Sequence, residues 1–268
     1  MNKYISFGTW QLPPDDTLRI IRDAVEAGFT HIDTAAAYAN EAVVGDAIAD
    51  CGAARENLFV SGKLWTSKRS HDAAIKACKK SLRNLRLDYF DQYLIHWPAT
   101  AATDANWSDI NNETWGALSE LKKDGLVRHI GVCNFTPVEL QALNDDTGVA
   151  PEVNQIEFHP GLLQKDTFEY CKSCGIELEA WSALGHGTLL QNPVLLAIAE
   201  KTCKTAAQIV LRWCLQKGAN PVTKTVNPVR MRSNLDVFSF TLDNADVSAI
   251  DSIVGGETVD YDMFLKRS

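Results

Sequence analysis

The sequence predicts an α/β fold, a parallel (β/α)8 barrel built as a single domain over residues 1–268. Two observations carry this. Eight short runs rich in β-branched and aromatic residues alternate with amphipathic helical segments, with no long linker between them, which indicates a parallel sheet whose eight units close naturally into a barrel. No G-x-G-x-x-G occurs, and Gly8-Thr9-Trp10 follows the first run, which argues against the alternative of a doubly wound open sheet. A chain of 268 residues that is 46% hydrophobic can bury one core of that size.

The elements follow in order. YISFG (4–8) reads as the first strand and 16–27 as a helix, with Leu18, Ile21 and Val25 on one face. FTHID (29–33) is the second strand, followed by a helix near 40–50. NLFVSGK (57–63) is the third, followed by a helix near 70–86 with an apolar stripe of Ile75, Cys78, Leu82 and Leu85. FDQYLIHW (90–97) is the fourth, followed by a long polar loop containing Trp107 and a helix near 112–124. VRHIGVCN (127–134) is the fifth. Thr136 then caps a helix with Pro137 at its first position and Glu139 at its third. PEVNQIE (151–157) and IELEAW (176–181) are the sixth and seventh strands, separated by a helix near 165–174. Asn192-Pro193 and Thr205-Gln208 open two helices, NPVTK (220–224) is the eighth strand, Asn227-Pro228 caps a short helix, and a last helix spans about 243–254.

The formal charge is −8, and an acidic chain without a dense basic run argues against nucleic acid as a partner. The patch KKSLRNLR (79–86) reads as the solvated face of a helix. The first residues contain no apolar stretch of the signal-peptide kind, and no run approaches the roughly 20 residues that span a bilayer. The expectation is a cytoplasmic protein without a membrane partner, its seven cysteines reduced. Cys171 and Cys174 form a lone C-x-x-C pair with no further ligands at zinc spacing, so a structural role is expected and no metal site.

In a barrel all strand C-terminal ends open on one face, so residues far apart in sequence converge there. Asp33 ends the second run, Tyr38 lies in the loop after it, Lys63 ends the third and His96 the fourth. Taken singly, each has a structural alternative: a helix cap, a surface lysine, a core histidine. Together they form a proton-donating site suited to carbonyl reduction. Lys63 would lower the pKa of the Tyr38 phenol, ordinarily about 10, Asp33 would hold Lys63, and His96 would orient a carbonyl. Trp10, Trp65 and Trp97 lie on strand-end segments and would wall the substrate pocket together with Tyr38 and His96. Lys224 and Arg230 flank the Asn227-Pro228 cap, where a helix N-terminus with free N–H groups and two cations would cradle a phosphate.

The segments FGTWQ (7–11), GFTHIDTAAAYANEAVVG (28–45), GKLW (62–65), LRLDYFDQYLIHWP (85–98), IGVCNF (130–135), NQIEFHP (154–160), AWSALGHG (180–187) and TKTVNPVRMRSNL (223–235) resemble the aldo-keto reductases. They are most similar to the short microbial members akin to 2,5-diketogluconate reductases. The resemblance implies the same barrel, a monomer, reversible reduction of aldehydes and ketones, and a nicotinamide cofactor held without a Rossmann fold. It makes Asp33, Tyr38, Lys63 and His96 the catalytic tetrad. It also implies that Asn134 and Gln155 meet the nicotinamide carboxamide, that Trp181 stacks on the ring, and that Ser182, Leu184 and Gly185 lie over the pyrophosphate. Thr9, Trp10, Asp33, Lys224, Thr225, Val226, Arg230 and Asn234 complete the implied cofactor contacts, with NADPH preferred over NADH.

The chain departs from the commoner pattern at Cys133, Ala183, His186, Thr225 and Ser233. The short tail after the last helix points to an open pocket for small aldehydes, α-dicarbonyls or keto sugars. Two other readings remain at this stage: a nucleotide-sensing module with little turnover, and a metal-dependent barrel hydrolase that would use His31 and Asp33.

Overall fold

The computed structural model describes residues 4–255. The tail from residue 256 onward, from which an open pocket was expected, lies outside the described residues. The elements are β1 (Ser6–Gly8), α1 (Thr17–Ala27), β2 (His31–Asp33), α2 (Glu41–Asp50), β3 (Phe59–Leu64), α3 (His71–Leu85), β4 (Phe90–Ile95), α4 (Trp107–Lys123), β5 (Val127–Cys133), α5 (Pro137–Thr147), β6 (Val153–Glu157), α6 (Lys165–Cys174), β7 (Glu177–Trp181), α7 (Pro193–Thr202), α8 (Ala206–Lys217), β8 (Ala219–Thr223), α9 (Pro228–Leu235) and α10 (Asn244–Asp251). The eight strands form a closed barrel in sequence order. The closing pair is parallel, with Ser6 opposite Val222 and Phe7 opposite Thr223.

Local chemistry sets several boundaries as expected. The Glu139 carboxylate accepts the Thr136 backbone N–H at 2.9 Å, completing the capping box of α5. Thr205 and Gln208 reciprocate in the same way at α8. One boundary differs markedly. Helix α4 starts at Trp107, five residues before the start expected near 112, so Trp107 heads a helix and does not lie within the loop. Polar residues make this turn look like loop, but their side chains are tied down. Asn111, 2% exposed, donates to the Ala99 carbonyl and accepts its N–H, both at 2.9 Å. Thr114 bonds back to the Ile110 carbonyl at 2.8 Å.

One continuous apolar cluster joins Phe7, Ile32, Val60, Val132 and Ile156 of the strands to Ile20, Ala24, Val44, Leu82, Leu118 and Leu140 of the helices. Alternation in a strand therefore turns their neighbours inward: Asp33 of β2, Ser61 and Lys63 of β3, Gln155 of β6 and Glu179 of β7. Barrel interiors are usually filled by branched apolar residues; here Leu94, Cys133 and Val153 form a small apolar cluster, and Asp33, Lys63, Gln155 and Glu179 form a hydrogen-bonded polar group. Among the described residues no helix is long and apolar enough to cross a membrane.

The barrel interior leaves no space at Gly131 of β5. A Cβ there would lie 2.4 Å from Val153 Cγ1, 2.6 Å from the Val153 carbonyl oxygen and 2.9 Å from Leu94 Cδ2. Gly131→Ala is expected to lower unfolding free energy by about 1–3 kcal/mol through overpacking. Urea denaturation measures this, and an unchanged midpoint and slope would contradict the packing described.

Candidate active site

The strands deliver the four expected side chains to one end of the barrel. Asp33 is the last residue of β2, and His96 immediately follows β4, its backbone N–H bonded to the Leu64 carbonyl at 3.0 Å. Lys63 is the penultimate residue of β3, which runs one residue further than expected, to Leu64. Tyr38 closes a 3-10 turn, Ala36–Tyr38, that ends at Ala39 in the left-handed region (φ 56°).

Lys63 Nζ donates to Asp33 Oδ1 at 2.5 Å, to Tyr38 Oη at 3.3 Å and to the Thr34 carbonyl at 3.3 Å. The three donors of an ammonium are thus matched by three acceptors. The imidazole of His96 meets the Tyr38 ring edge-on at 5.8 Å and the Trp65 ring at 5.2 Å. Nδ1 of His96 is buried and has no hydrogen-bond partner among the described residues. A polar atom so placed is unspent hydrogen-bonding capacity inside the site.

Burial alone would lower the pKa of the Lys63 ammonium, but Asp33 and Tyr38 more than offset it and hold Lys63 charged. Burial, and then the Lys63 charge, push the His96 imidazole well below its ordinary value, so the ring is neutral. The phenol departs from expectation. Lys63 does act to lower it, but burial acts more strongly in the other direction and Asp33 adds to the rise, so Tyr38 is pushed up to about 12. It is therefore fully protonated at neutral pH. Cys133, one residue before Asn134, is likewise a neutral thiol, raised by burial.

Around the tetrad, Asn134 adopts φ 62°, a left-handed conformation that Asn tolerates better than most residues. It donates to the His96 carbonyl at 3.0 Å and accepts from Trp181 Nε1 at 2.9 Å. These bonds tie β4, β5 and β7 together at the rim. Gln155 Nε2 donates to Asp33 Oδ2 at 2.9 Å. Ser182 (φ 52°) and His186 (φ 51°) sit in a left-handed bend, with Ser182 Oγ 3.2 Å from His186 Nε2, and the bend also holds Leu184 and Gly185. His186 meets the edge of Trp10 at 6.5 Å.

The remaining expected residues are placed as follows. Thr9 is fully buried, and both its N–H and its hydroxyl donate to the Asp33 carbonyl, at 2.9 and 3.0 Å. It fixes the end of β2. Trp10 is 38% exposed and Trp65 half-buried, so both can line a pocket. Trp97, expected to do the same, is 5% exposed and packs into the fold.

Lys224 follows β8, and Val226 is 48% exposed. Thr225 Oγ1 accepts the Asn227 N–H at 3.2 Å. Asn234 is 4% exposed and donates to Thr223 Oγ1 at 3.3 Å, fastening α9 to β8. The free N–H groups expected at the start of α9 are absent. Asn227 Oδ1 accepts from Val229 at 2.9 Å and Arg230 at 3.2 Å, and Pro228 has none to offer. The two cations remain. Among the described residues neither Lys224 nor Arg230 enters an ion pair, so an anion here would be held by side chains.

Sequence reasoning missed Glu179 and Gln92, 4% and 5% exposed, which join the same network from below. Glu179 Oε2 accepts from Gln155 Nε2 at 2.6 Å and its Oε1 from Gln92 Nε2 at 3.0 Å. The available signal was spacing, since Glu179 lies two residues before Trp181 and so on the same strand face. Among the described residues no group of three or more His, Cys, Asp or Glu is placed to hold a metal ion.

The model of the Aldo/keto reductase family matches residues 4–255. A glyoxal reductase of Bacillus subtilis (strain 168) is 45% identical over 239 residues, covering 89% of this chain and 84% of the relative. The methylglyoxal reductase DkgA of Escherichia coli (strain K12) is 39% identical over 260 residues, covering 96% of this chain and 92% of the relative. Among solved structures, a mutant of Gox0644 in complex with NADPH is 40% identical with a TM-score of 0.88, covering 96% of this chain and 92% of that one. With the barrel, the converging side chains and these matches all in agreement, the chain belongs to the aldo/keto reductase family and is an oxidoreductase.

Proposed function

We propose that the protein uses NADPH to reduce small aldehydes, α-dicarbonyls or keto sugars to alcohols, with Tyr38 as the proton donor. The observation that carries this reading is the buried chain from Asp33 through Lys63 to Tyr38, ending beside the neutral ring of His96. The relatives bearing the names glyoxal reductase and methylglyoxal reductase support the substrate class, and the NADPH complex of Gox0644 supports the cofactor. The residues fit such a cofactor. Half-buried Trp181 stands at the rim at the end of β7, and Lys224 and Arg230 offer two cations that enter no ion pair among the described residues, at the place suited to a 2′-phosphate.

A bound reduced nicotinamide would supply a hydride to the carbonyl carbon. The rest falls to the chain. His96, a neutral ring beside Tyr38, orients the carbonyl oxygen. Tyr38 delivers its proton to that oxygen as negative charge develops there. A phenol at about 12 does not dissociate in the resting site, so the proton leaves only when a stronger base, the nascent alkoxide, faces it. Lys63 stays charged throughout and stabilises the phenolate left behind, while Asp33 holds Lys63 in place. Trp10, 38% exposed, and half-buried Trp65, whose ring meets His96, would supply apolar walls for a small carbonyl.

Tyr38→Phe is expected to lower kcat by roughly 10²–10⁴-fold while leaving NADPH affinity unchanged, measured as loss of 340 nm absorbance with methylglyoxal, an aromatic aldehyde and a keto sugar. Near-normal kcat in the variant would overturn the assignment. Tight NADPH binding by the wild-type protein with negligible turnover across that panel would instead favour a nucleotide-sensing role. For the cofactor, Lys224→Ala and Arg230→Ala should each reduce the preference for NADPH over NADH by roughly tenfold, the loss of one charged hydrogen bond, with kcat/KM for NADH little changed. Equal losses with both cofactors would place the 2′-phosphate elsewhere.

A further inference from the structure

Below the tetrad lies a buried carboxylate that the chemistry above does not use. Glu179 comes from β7 and is in register with Gln155 of β6. Gln92 reaches it from β4 and Asp33 meets Gln155 from β2, so four strands contribute to one network across the barrel. Burying a carboxylate and two amides is costly unless every bond is made, and here each Glu179 oxygen has its own amide donor.

The consequence falls on Gln155. A carboxamide can be turned end for end with little change in shape, and its orientation is set by its partners. Nε2 of Gln155 carries two hydrogens. One goes to Asp33 Oδ2 at 2.9 Å and the other to Glu179 Oε2 at 2.6 Å. Two carboxylates accept only, so the flipped amide would set its oxygen against two negative charges and lose two charge-assisted bonds. With both hydrogens committed, all further bonding by this amide must be as an acceptor, through Oε1. Asp33 alone would fix one hydrogen. Glu179 fixes the second and, held by Gln92 at 3.0 Å, cannot swing away.

We infer that Glu179 is a positioning residue that locks Gln155 as a hydrogen-bond acceptor, so that the site selects a pyridine ring bearing a carboxamide N–H donor. This rests on the proposed reading in which Gln155 meets the nicotinamide carboxamide. The selection concerns the nicotinamide end only and is independent of the cations at α9.

The test compares two oxidised dinucleotides by isothermal titration calorimetry: NADP+ and its 3-acetylpyridine analogue, in which a methyl replaces the carboxamide nitrogen. The acceptor is kept and the donor lost. The wild-type protein is expected to bind NADP+ about tenfold more tightly, the worth of one hydrogen bond. In Glu179→Gln, residue 179 can itself donate or accept, so Gln155 is held firmly only by its bond to Asp33. It can swing about that bond, carrying Oε1 out of line, and the ratio should fall to about twofold or less. Binding of 2′,5′-ADP, which has no pyridine ring, should be unchanged.

A wild-type preference that persists in Glu179→Gln overturns the proposal and leaves the proposed function standing. A ratio preserved while both dinucleotides weaken equally marks a purely structural role and also overturns it. No wild-type preference would mean that Gln155 does not read the carboxamide, which removes the proposal together with that cofactor contact. Should Glu179→Gln fail to fold, Gln92→Ala keeps both carboxylates and only loosens Glu179. Its ratio should be intermediate, and an unchanged ratio overturns the proposal.

Discussion

The buried pair of Asp33 and Lys63 is the constraint on which the rest of the site depends. Both side chains are almost fully enclosed, 3% and 1% exposed, with 2.5 Å between Oδ1 and Nζ. An isolated charge at either position would be expensive, and removing one partner of a buried pair typically costs about 3–5 kcal/mol. Each charge therefore requires the other, and the pair fixes where β2 and β3 present their ends. Everything polar nearby is arranged around it. Tyr38 and the Thr34 carbonyl complete the lysine's acceptors, and Gln155 takes the second oxygen of the aspartate.

The charge state of the site follows from the same pair. Lys63 remains an ammonium because Asp33 and Tyr38 outweigh its desolvation. Its positive charge reinforces the burial that keeps His96 neutral. The same ammonium does not make Tyr38 an acid at rest, because burial dominates there. The site thus stores a proton on the phenol and a positive charge beside it. In the proposed reaction a developing alkoxide would draw on both, whereas water gives no reason for either to move. In that reading the site is electrostatically preorganised, its groups already placed where charge would appear.

Much of this was legible in the sequence. The eight apolar runs, the capping signals at Thr136 and Thr205 and the convergence of Asp33, Tyr38, Lys63 and His96 at one end of the barrel follow from local pattern, since a strand end in a barrel has only one face to open onto. What was not legible depended on tertiary partners. The start of α4 at Trp107 is tied down by Asn111 bonding to Ala99, a contact twelve residues distant that no window of polar residues reveals. Trp97 sits beside His96 in sequence, but it lies in the bend after β4 and is 5% exposed, a burial that its position in the sequence does not reveal. The first turn of α9 read as open, while Asn227 uses its side chain to occupy those N–H groups. Glu179 in IELEAW looks like any solvated glutamate until its two-residue spacing from Trp181 is used to put it on the inner face of β7. The rise in the Tyr38 pKa was missed because spacing identifies the neighbouring ammonium but not the depth of burial.

The most direct test of this account is a double substitution, Asp33→Asn with Lys63→Met. Removing both charges avoids leaving either one unpaired in the interior, so the protein should stay folded where the single variants are at risk. Thermal melting would establish that it folds, and the 340 nm assay with NADPH and methylglyoxal would then be read. The account predicts a folded protein whose turnover falls roughly 10²–10⁴-fold, because Tyr38 loses the charge that stabilises its phenolate. A folded double variant with near-normal turnover would show that proton delivery does not depend on the pair, and would contradict the account at its centre.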